Sequence, residues 1–315
     1  MIPINKDFNS QLVVWHHLAI KNYLNGKFMK KKFALLELLV LEFTHGNHSF
    51  ETLVKASFST IENEIAPAWL AFPTARKIFY ERSINLVGNL YAYLSINPHY
   101  NFTDAGGNTV YYNTNFLFSH LKLNVCPYCN ENYTYFFNNN GKRNYDLDHF
   151  FSQIDYPILA VCFFNLVPSC KVCNFFKNAS PDPLLSPYHN YKINDILEWG
   201  IEVKSSAYLY DETQLEIKVK RATSIHYLNR INDNIRVFQL ENRYAQRKDI
   251  VMDTLKKKQL YNDDYINQLF KNFEGKLFKN VEDVKSMIFN TDMAEEDFNK
   301  RPFSKLIRDV FISKY

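Results

Sequence analysis

Residues 126–177 read CPYCNENYTYFFNNNGKRNYDLDHFFSQIDYPILAVCFFNLVPSCKVCNFFK, and they contain four of the five cysteines of this 315-residue chain. These four form two Cys-x-x-Cys pairs, Cys126 with Cys129 and Cys170 with Cys173, with 40 residues between the pairs. Two thiolates at this spacing can reach one metal ion, and two such pairs complete a tetrahedral set of sulfur ligands. The spacing therefore predicts a structural zinc site.

Other uses of cysteine pairs fit this sequence less well. CPYC is also the active-site tetrapeptide of glutaredoxins, but that function leaves the second pair unexplained, and no βαβ pattern follows Cys129. Disulfides are disfavoured because nothing marks the chain for secretion. A zinc deaminase needs His-x-Glu before Pro-Cys-x-x-Cys, and neither element is present. Cys162 lies in an apolar run and is expected to be an inert buried thiol.

Between the cysteine pairs, residues 145–150 (YDLDHF) place a carboxylate, Asp148, directly beside an imidazole, His149. This run mixes β-forming and polar residues after a predicted turn at residues 138–141, which indicates a strand. Asp146 precedes Asp148 by two residues and lies on the same strand face. Asp146 is therefore either a partner of the candidate site or a structural residue.

Three further polar residues follow at informative positions. Asn165 comes 16 residues after His149, Asn174 directly follows Cys173, and Lys177 lies one helical turn further on. Together with the cysteine pairs, these residues resemble the HNH (ββα-metal) nucleases that have a zinc-knuckle frame. The resemblance implies an α+β protein in which a strand carries His149, a second short strand follows Asn165, and a helix begins near the second cysteine pair.

The resemblance also implies a chemistry, the hydrolysis of phosphodiester bonds by a one-metal mechanism. His149 would act as the general base, because an unperturbed imidazole has a pKa of about 6.5. Asp148 and Asn174 would hold one Mg²⁺ or Mn²⁺ through hard oxygen atoms. Asn165 would orient the imidazole or brace the loop around it. Lys177 would contact phosphate as a point charge, or would be a solvated helix residue.

A narrower similarity covers residues 126–190. It consists of CPYC followed by an aromatic stretch, Asp-Leu-Asp-His-Phe, Asn-Leu-Val-Pro-Ser-Cys, and a Pro-Leu-Leu-Ser-Pro-Tyr connector. These motifs resemble the HNH subunits of bacterial Septu-type and retron-associated anti-phage systems. The similarity implies antiviral defence, with a separate SMC-like or ABC-like ATPase as the regulatory partner. The chain itself has no glycine-rich phosphate loop, so ATP hydrolysis in this chain is not expected.

The overall charge gives no strong indication of nucleic-acid binding. Thirty-seven basic residues against 33 acidic ones give a net charge of only +4, so binding would depend on local patches. Residues 224–258 are predicted to be helical and basic. Arg243, Arg247 and Lys248 in this region are our candidates for contacts with the phosphate backbone, the alternative being an ordinary solvated helix face.

The motifs divide the chain into three predicted regions. Residues 1–120 are mainly helical, residues 121–190 form the nuclease core, and residues 191–315 contain a β-hairpin followed by helices. In the first region, apolar residues recur at the spacing of one helix face, namely Val54, Phe58, Ile61 and Ile65. His16 and His17 have no partner at ligand spacing and are expected at the surface or at helix caps.

The chain begins without the basic and apolar regions of a signal peptide. Its most hydrophobic run, residues 33–43, contains two glutamates and is too short to span a bilayer. We therefore expect a soluble cytoplasmic protein with no membrane partner, in which reduced cysteines are available for zinc.

Two other functions stay open beside cleavage of DNA. The first is a non-catalytic, zinc-stabilised module that binds nucleic acid or a partner protein. The second keeps the nuclease chemistry but takes RNA, for instance a tRNA, as the substrate. With 27 Phe and 21 Tyr in the chain, exposed aromatic side chains on which single bases could stack would favour RNA.

Overall fold

The structure is a computed structural model that describes residues 2–4, 10–26, 30–74, 76–78, 80–81, 101–137, 142–178, 180, 182–221 and 227–313. The predicted turn at residues 138–141 lies outside these ranges. In the described part of the chain, helices alternate with three separate two-stranded antiparallel sheets. The structure is thus of mixed helix and strand, as expected.

The helices are mostly short, and none of those described has both the length and the apolar composition needed to cross a membrane. They are α1 (Ser10–Leu24), α2 (Lys30–Phe43), α3 (Phe50–Lys55), α4 (Phe58–Thr60), α5 (Ala66–Ala71), α6 (Thr114–Leu121), α7 (Lys171–Lys177), α8 (Leu228–Val237), α9 (Leu240–Tyr244), α10 (Lys248–Leu260), α11 (Asp263–Phe273), α12 (Val281–Phe289) and α13 (Ser304–Ile312). The strands are β1 (Asn101–Thr103), β2 (Thr109–Tyr111), β3 (Tyr145–His149), β4 (Leu166–Cys170), β5 (Leu197–Val203) and β6 (Leu215–Arg221).

Packing divides the chain into two compact units. The first unit contains Asn5–Leu123 and Tyr135–Ser180, and the second contains Met1–Ile4, Asn124–Thr134 and Pro181–Tyr315. Both units are therefore discontinuous in sequence, whereas the three predicted regions were continuous.

The strand, strand and helix expected around the candidate residues are all present in the first unit. β3 pairs with β4 in antiparallel register, from Tyr145 opposite Cys170 to His149 opposite Leu166. Helix α7 begins at the next residue, Lys171. Because no loop separates β4 from α7, the register of the two strands also fixes where the side chains of this helix lie.

Helices of the first unit support the loop that follows β3. The Phe58 ring packs edge-on against Phe150 at 5.1 Å between centroids, and it stacks on Phe151 at 5.9 Å. The indole N–H of Trp69 donates a hydrogen bond to the backbone carbonyl of Asp155, 2.9 Å away. Aromatic packing from the helical region thus holds the segment just beyond the candidate general base.

The apolar stripe at residues 54–65 is buried as predicted, but the expectation of one helix is wrong. Helix α3 ends at Lys55, and Ala56 leaves the helical conformation with ψ of 135°. The Ser57 hydroxyl then accepts a hydrogen bond from the backbone N–H of Thr60 and starts α4. A serine in this position caps a new helix more readily than it continues an old one. A π-helical turn, Ile61–Ile65, joins α4 to α5.

The prediction for His16 and His17 is also wrong, because both side chains are buried. The two ring nitrogens of His16 make hydrogen bonds of 2.8 Å, Nδ1 with the Tyr112 hydroxyl and Nε2 with the carbonyl of Val161. Burial lowers the pKa of His16 to about 4. His16 is therefore an uncharged core residue whose polar atoms are satisfied.

In the second unit, β5 and β6 form the predicted hairpin, with Leu197 opposite Arg221 and Val203 opposite Leu215. Trp199 of β5 is buried and stacks on Tyr244 with a centroid separation of 4.0 Å. The Trp199 backbone N–H donates to the carboxylate of Asp309 at 2.8 Å. The hairpin is thereby attached to the helices that follow it in sequence.

Asn130 ties the segment 124–134 to the end of the second unit. Its buried side chain donates to the carbonyl of Phe298 at 2.7 Å and accepts from the backbone N–H of Lys305 at 3.2 Å. Its own carbonyl accepts from the backbone N–H of Phe303 at 2.6 Å. Asn130 has φ of 52°, a left-handed conformation that asparagine tolerates better than most residues. These contacts explain why the segment packs with residues far away in sequence.

We predict that Asn130→Ala lowers the free energy of unfolding by about 3 kcal/mol, because two buried backbone groups lose their partners. Asn290→Ala is the matched control. Asn290 has the same φ of 52° but is exposed, and its side chain accepts a hydrogen bond from Arg301. We expect a cost of about 1 kcal/mol for this control. Urea denaturation followed by circular dichroism measures both, and equal losses would contradict a special role for Asn130.

Candidate functional site

The two cysteine pairs come together in one buried cluster. The Sγ atoms of Cys126, Cys129, Cys170 and Cys173 all lie within 4.8 Å of one another. All five cysteines are described, and none of them forms a disulfide. Four converging soft sulfur donors form a group that can hold a metal ion, and the donor set is consistent with a structural zinc.

Local hydrogen bonds shape the backbone of each pair. The N–H of Asn130 donates to the carbonyl of Cys126 at 2.8 Å and closes the turn of the first pair. In the second pair, the Cys170 Sγ accepts from the N–H of Cys173 at 3.5 Å and caps the start of α7. The N–H of Cys173, which donates to sulfur, stabilises the thiolate form of Cys170, the form that binds metal.

Pairs of side chains connect α7 to β3. The Nδ2 of Asn174 lies 3.4 Å from an Oδ atom of Asp146, and the Nζ of Lys177 lies 3.1 Å from an Oδ atom of Asp148. Residues three apart share one face of a helix, and residues two apart share one face of a strand. The two periodicities therefore bring all four side chains into register. Asp146 therefore contacts Asn174 of the candidate site.

His149 stands at the end of β3, with its ring held in one orientation. Its Nε2 lies 3.0 Å from the carbonyl of Ala160, which can only accept, so Nε2 carries the proton. In the neutral ring, Nδ1 then has the lone pair. Burial lowers the pKa of His149, while the hydrogen bond to Ala160 and the charge of Asp148 oppose that shift. The arrangement favours a neutral imidazole with a defined tautomer, the form that a general base requires.

Asn165 braces the loop after β3, which was one of its two predicted roles. Its Oδ1 accepts from the N–H of Phe151 at 2.7 Å, and its Nδ2 lies near the carbonyls of Phe151 (3.2 Å) and Leu159 (3.0 Å). The side chain is fully buried. By holding Leu159, it also fixes the neighbouring Ala160, whose carbonyl orients His149.

Lys177 is neither a solvated helix residue nor an exposed point charge. Its side chain is 3% exposed, and the paired Asp148 side chain is 5% exposed. The ammonium group also donates to the carbonyl of His149 at 2.7 Å and lies 5.7 Å from the centroid of Phe150. The charge of Lys177 is therefore matched by Asp148 inside the protein.

Four of the candidate residues, Asp146, Asp148, His149 and Asn174, line one open cleft of about 580 Å³ in the first unit. The lining residues are Asp146, Leu147, Asp148, His149, Ser152, Gln153, Ile154, Asn174, Phe175 and Asn178. Two of them are carboxylates, and none of these described lining residues is a lysine or an arginine. Because Lys177 balances Asp148, a phosphate group entering the cleft would meet mainly the negative charge of Asp146 unless a cation were bound there.

Sequence reasoning missed the exposed apolar residues of this cleft, Phe175 and Ile154. For Phe175 a signal existed, because Cys173 and Lys177 are four residues apart and occupy one face of α7. A residue midway between them must point to the other side of the helix. For Ala160, which acts only through its backbone carbonyl, the sequence offers no signal.

The predicted phosphate-contacting residues lie elsewhere, in the second unit. Arg243 and Arg247 both pair with Glu131, and the contact from Arg247 Nη2 measures 2.6 Å. Arg243 and Glu131 are largely buried, so this charge is matched within the protein. Lys248 is the first residue of α10 and is partly buried. A role in phosphate binding stays a prediction for all three residues. Because Glu131 pairs with both arginines, less unpaired positive charge is present than the sequence indicated.

Comparison of the chain with protein-family models, with curated proteins and with solved structures gives no significant match.

We predict that the purified protein contains one tightly bound metal ion per chain, and that Cys126→Ala abolishes this binding. Cys162→Ala is the matched control, because Cys162 is equally buried but lies outside the cluster. Elemental analysis by mass spectrometry measures the content and identifies the metal. A Cys126→Ala protein with unchanged metal content would contradict the site.

We predict that Lys177→Met lowers the free energy of unfolding by about 3 kcal/mol, because it leaves the buried Asp148 carboxylate without its counter-charge. In the double variant with Asp148→Asn, the cost should be clearly smaller than the sum of the two single costs. Lys300→Met, which removes an exposed pair with Asp297, should cost less than about 0.5 kcal/mol. Chemical denaturation measures all four variants, and strictly additive costs would show that the buried pair is not coupled.

Proposed function

We propose that this chain is a metal-dependent HNH-type endonuclease that hydrolyses phosphodiester bonds of nucleic acid, with DNA as the favoured polymer. The observation that carries the proposal is the meeting of Asp148, His149 and Asn174 in one cleft, on a strand–strand–helix unit in the predicted order. The spacing of these residues along the chain supports the same proposal, since it matches the order of elements that the nuclease motif requires.

The hydrogen bonding of His149 supports its role as the general base. Ala160 holds the Nε2 proton, so Nδ1 is the ring atom with the lone pair. The proposed step is removal of a proton from a water molecule that attacks the phosphorus. Asn165 acts as a positioning residue, since it fixes the loop that contains Ala160.

The oxygen donors beside His149 suit a hard divalent cation. Asp148 offers a carboxylate, and Asn174 offers an amide oxygen, because its Nδ2 is turned towards Asp146. Mg²⁺ or Mn²⁺ bound there would stabilise the charge that develops on the phosphate and on the leaving oxygen. Zinc is proposed only for the four cysteines, whose softer donors match it.

The charge of the cleft supports a strict requirement for this cation. Its described lining includes Asp146 and Asp148 but no basic side chain, and Lys177 is paired with Asp148. In the absence of a metal ion, a phosphodiester would meet the negative charge of Asp146 without a basic lining residue to offset it. Metal binding would therefore control both the entry of substrate and the chemical step.

The wider parts of the proposal rest on the sequence resemblance alone. They are products with 5′-phosphate and 3′-hydroxyl ends, a setting in antiviral defence, and control by a separate SMC-like or ABC-like ATPase subunit. RNA is the second candidate substrate, and a specific observation favours it, the exposed aromatic ring of Phe175 in the cleft.

We predict that the purified protein cuts DNA in Mg²⁺ or Mn²⁺, that EDTA stops the reaction, and that His149→Ala lowers the rate at least a hundredfold. The matched control is His120→Ala, since His120 is exposed on α6 and is not among the cleft-lining residues. Gel assays with single-stranded DNA, plasmid DNA and total RNA measure the rate and identify the polymer.

A His149→Ala protein that cuts as fast as the wild type would overturn the assignment of the base. If the wild type binds nucleic acid but cuts neither polymer, even with its partner subunit added, the non-catalytic binding module becomes the better account. Circular dichroism and metal content should be unchanged in both histidine variants, which separates lost chemistry from lost folding.

A further inference from the structure

The wall of the candidate cleft carries two large apolar side chains that are almost fully exposed. Phe175 is 78% exposed and Ile154 is 77% exposed, and both line the cleft with Asp148 and His149. Single exposed apolar residues are common on protein surfaces and by themselves need no explanation. Here, however, they border the proposed reaction centre, and Phe175 directly follows the proposed metal ligand Asn174.

The exposure of Phe175 is imposed by the geometry of α7. Cys173 and Lys177 take the buried face of this seven-residue helix, one in the cysteine cluster and the other in the ion pair with Asp148. Position 175 therefore faces outwards whatever its side chain. An aromatic residue at this outward position adds apolar surface where a polar residue would fit the solvent better.

The charge of the cleft indicates what this apolar surface contacts. Proteins that hold the nucleic-acid backbone use lysine and arginine, and the described lining has neither. Apart from a bound cation, the affinity for a substrate must then come from apolar and hydrogen-bonding contacts. The part of a nucleotide that offers a flat apolar surface is the face of its base.

We infer, on the basis of the proposed function, that the cleft takes an unpaired nucleotide of a single strand whose base stacks on Phe175. In a duplex, neighbouring base pairs cover both faces of each base, so the Phe175 ring has no face to stack on. In a single strand a base can turn out and cover the ring, as in proteins that bind single strands through aromatic side chains. Ile154 extends the same apolar wall.

This substrate class covers single-stranded DNA and single-stranded RNA, which share the chemistry of an exposed base. Phe175 and Ile154 offer apolar surface to a base. Stacking is tolerant of base identity because every base has a π-face. The protein should therefore bind single strands with little sequence preference.

The test measures binding, so that its outcome does not depend on cleavage. Fluorescein-labelled oligothymidylate, oligouridylate and a short DNA duplex are titrated with full-length protein in Mg²⁺, and fluorescence anisotropy gives the dissociation constants. All proteins carry His149→Ala to prevent cutting. Phe175→Ala should weaken binding of both single strands about tenfold, the lower range measured for loss of base stacking. Phe175→Trp should bind them as well as Phe175 does.

Phe176→Ala is the matched control, because Phe176 is the adjacent residue, is 39% exposed, and is not among the cleft-lining residues. It should leave both dissociation constants unchanged. Equal losses for the two alanine variants, no loss for Phe175→Ala, or no binding of any single strand would each overturn the inference. Equally tight duplex binding that depends on Phe175 would also overturn it, and would indicate insertion of the ring into a groove.

A different result would contradict the proposed function, namely a His149→Ala protein that cuts nucleic acid as fast as the wild type. Binding of single strands through Phe175 by a protein without nuclease activity would keep the inference and reject the nuclease. The ratio of the dissociation constants for oligothymidylate and oligouridylate distinguishes DNA from RNA as the preferred strand.

Discussion

The antiparallel pairing of β3 with β4 positions Asp146, Asp148, His149 and Asn174 of the candidate cleft. It sets His149 opposite Leu166 and runs without a break to Cys170, where α7 begins. Because side chains alternate along a strand, a shift of one residue would turn Asp148 to the opposite face. The contacts of Asn174 and Lys177 with β3 would be lost together. The register of two five-residue strands thus determines whether the site exists.

Charge balance is the second constraint on this site. Asp148 is buried, and a buried carboxylate is tolerated only when a counter-charge or hydrogen bonds compensate for its lost hydration. Lys177 supplies that charge from one helical turn beyond Asn174, and it also holds the carbonyl of His149. Because of this pairing, the lysine side chain is buried and is not among the cleft-lining residues. The contact between Lys177 and Asp148 therefore stabilises the buried carboxylate and also weakens the attraction of the cleft for phosphate. Because this attraction is weak, a bound cation is central to the proposed chemistry.

Much of the local structure could be predicted from the sequence. Alternating and helical patterns identified β3, the β5–β6 hairpin and the buried stripe around Ile61 and Ile65, because these depend on periodicity over a few residues. The predictions were wrong where a local hydrogen bond, or a contact with residues distant in sequence, outweighed the periodic pattern. Ser57 caps a new helix inside the stripe. His16 is buried through contacts with Tyr112 and Val161, which are 96 and 145 residues away.

The sequence by itself determined the four-cysteine frame, the order of strand, strand and helix, and the identity of the polar residues that share the cleft. The cysteine frame follows from spacing along the chain, and the other two follow from the resemblance of the motif to the HNH nucleases. Only the tertiary structure decided which charges are neutralised and which apolar groups stay exposed. Arg243 is matched by Glu131, 112 residues earlier, whereas Phe175 is left uncovered. Neutralisation and exposure depend on what packs against a side chain in space, and local periodicity carries no information about a partner so far away in the chain.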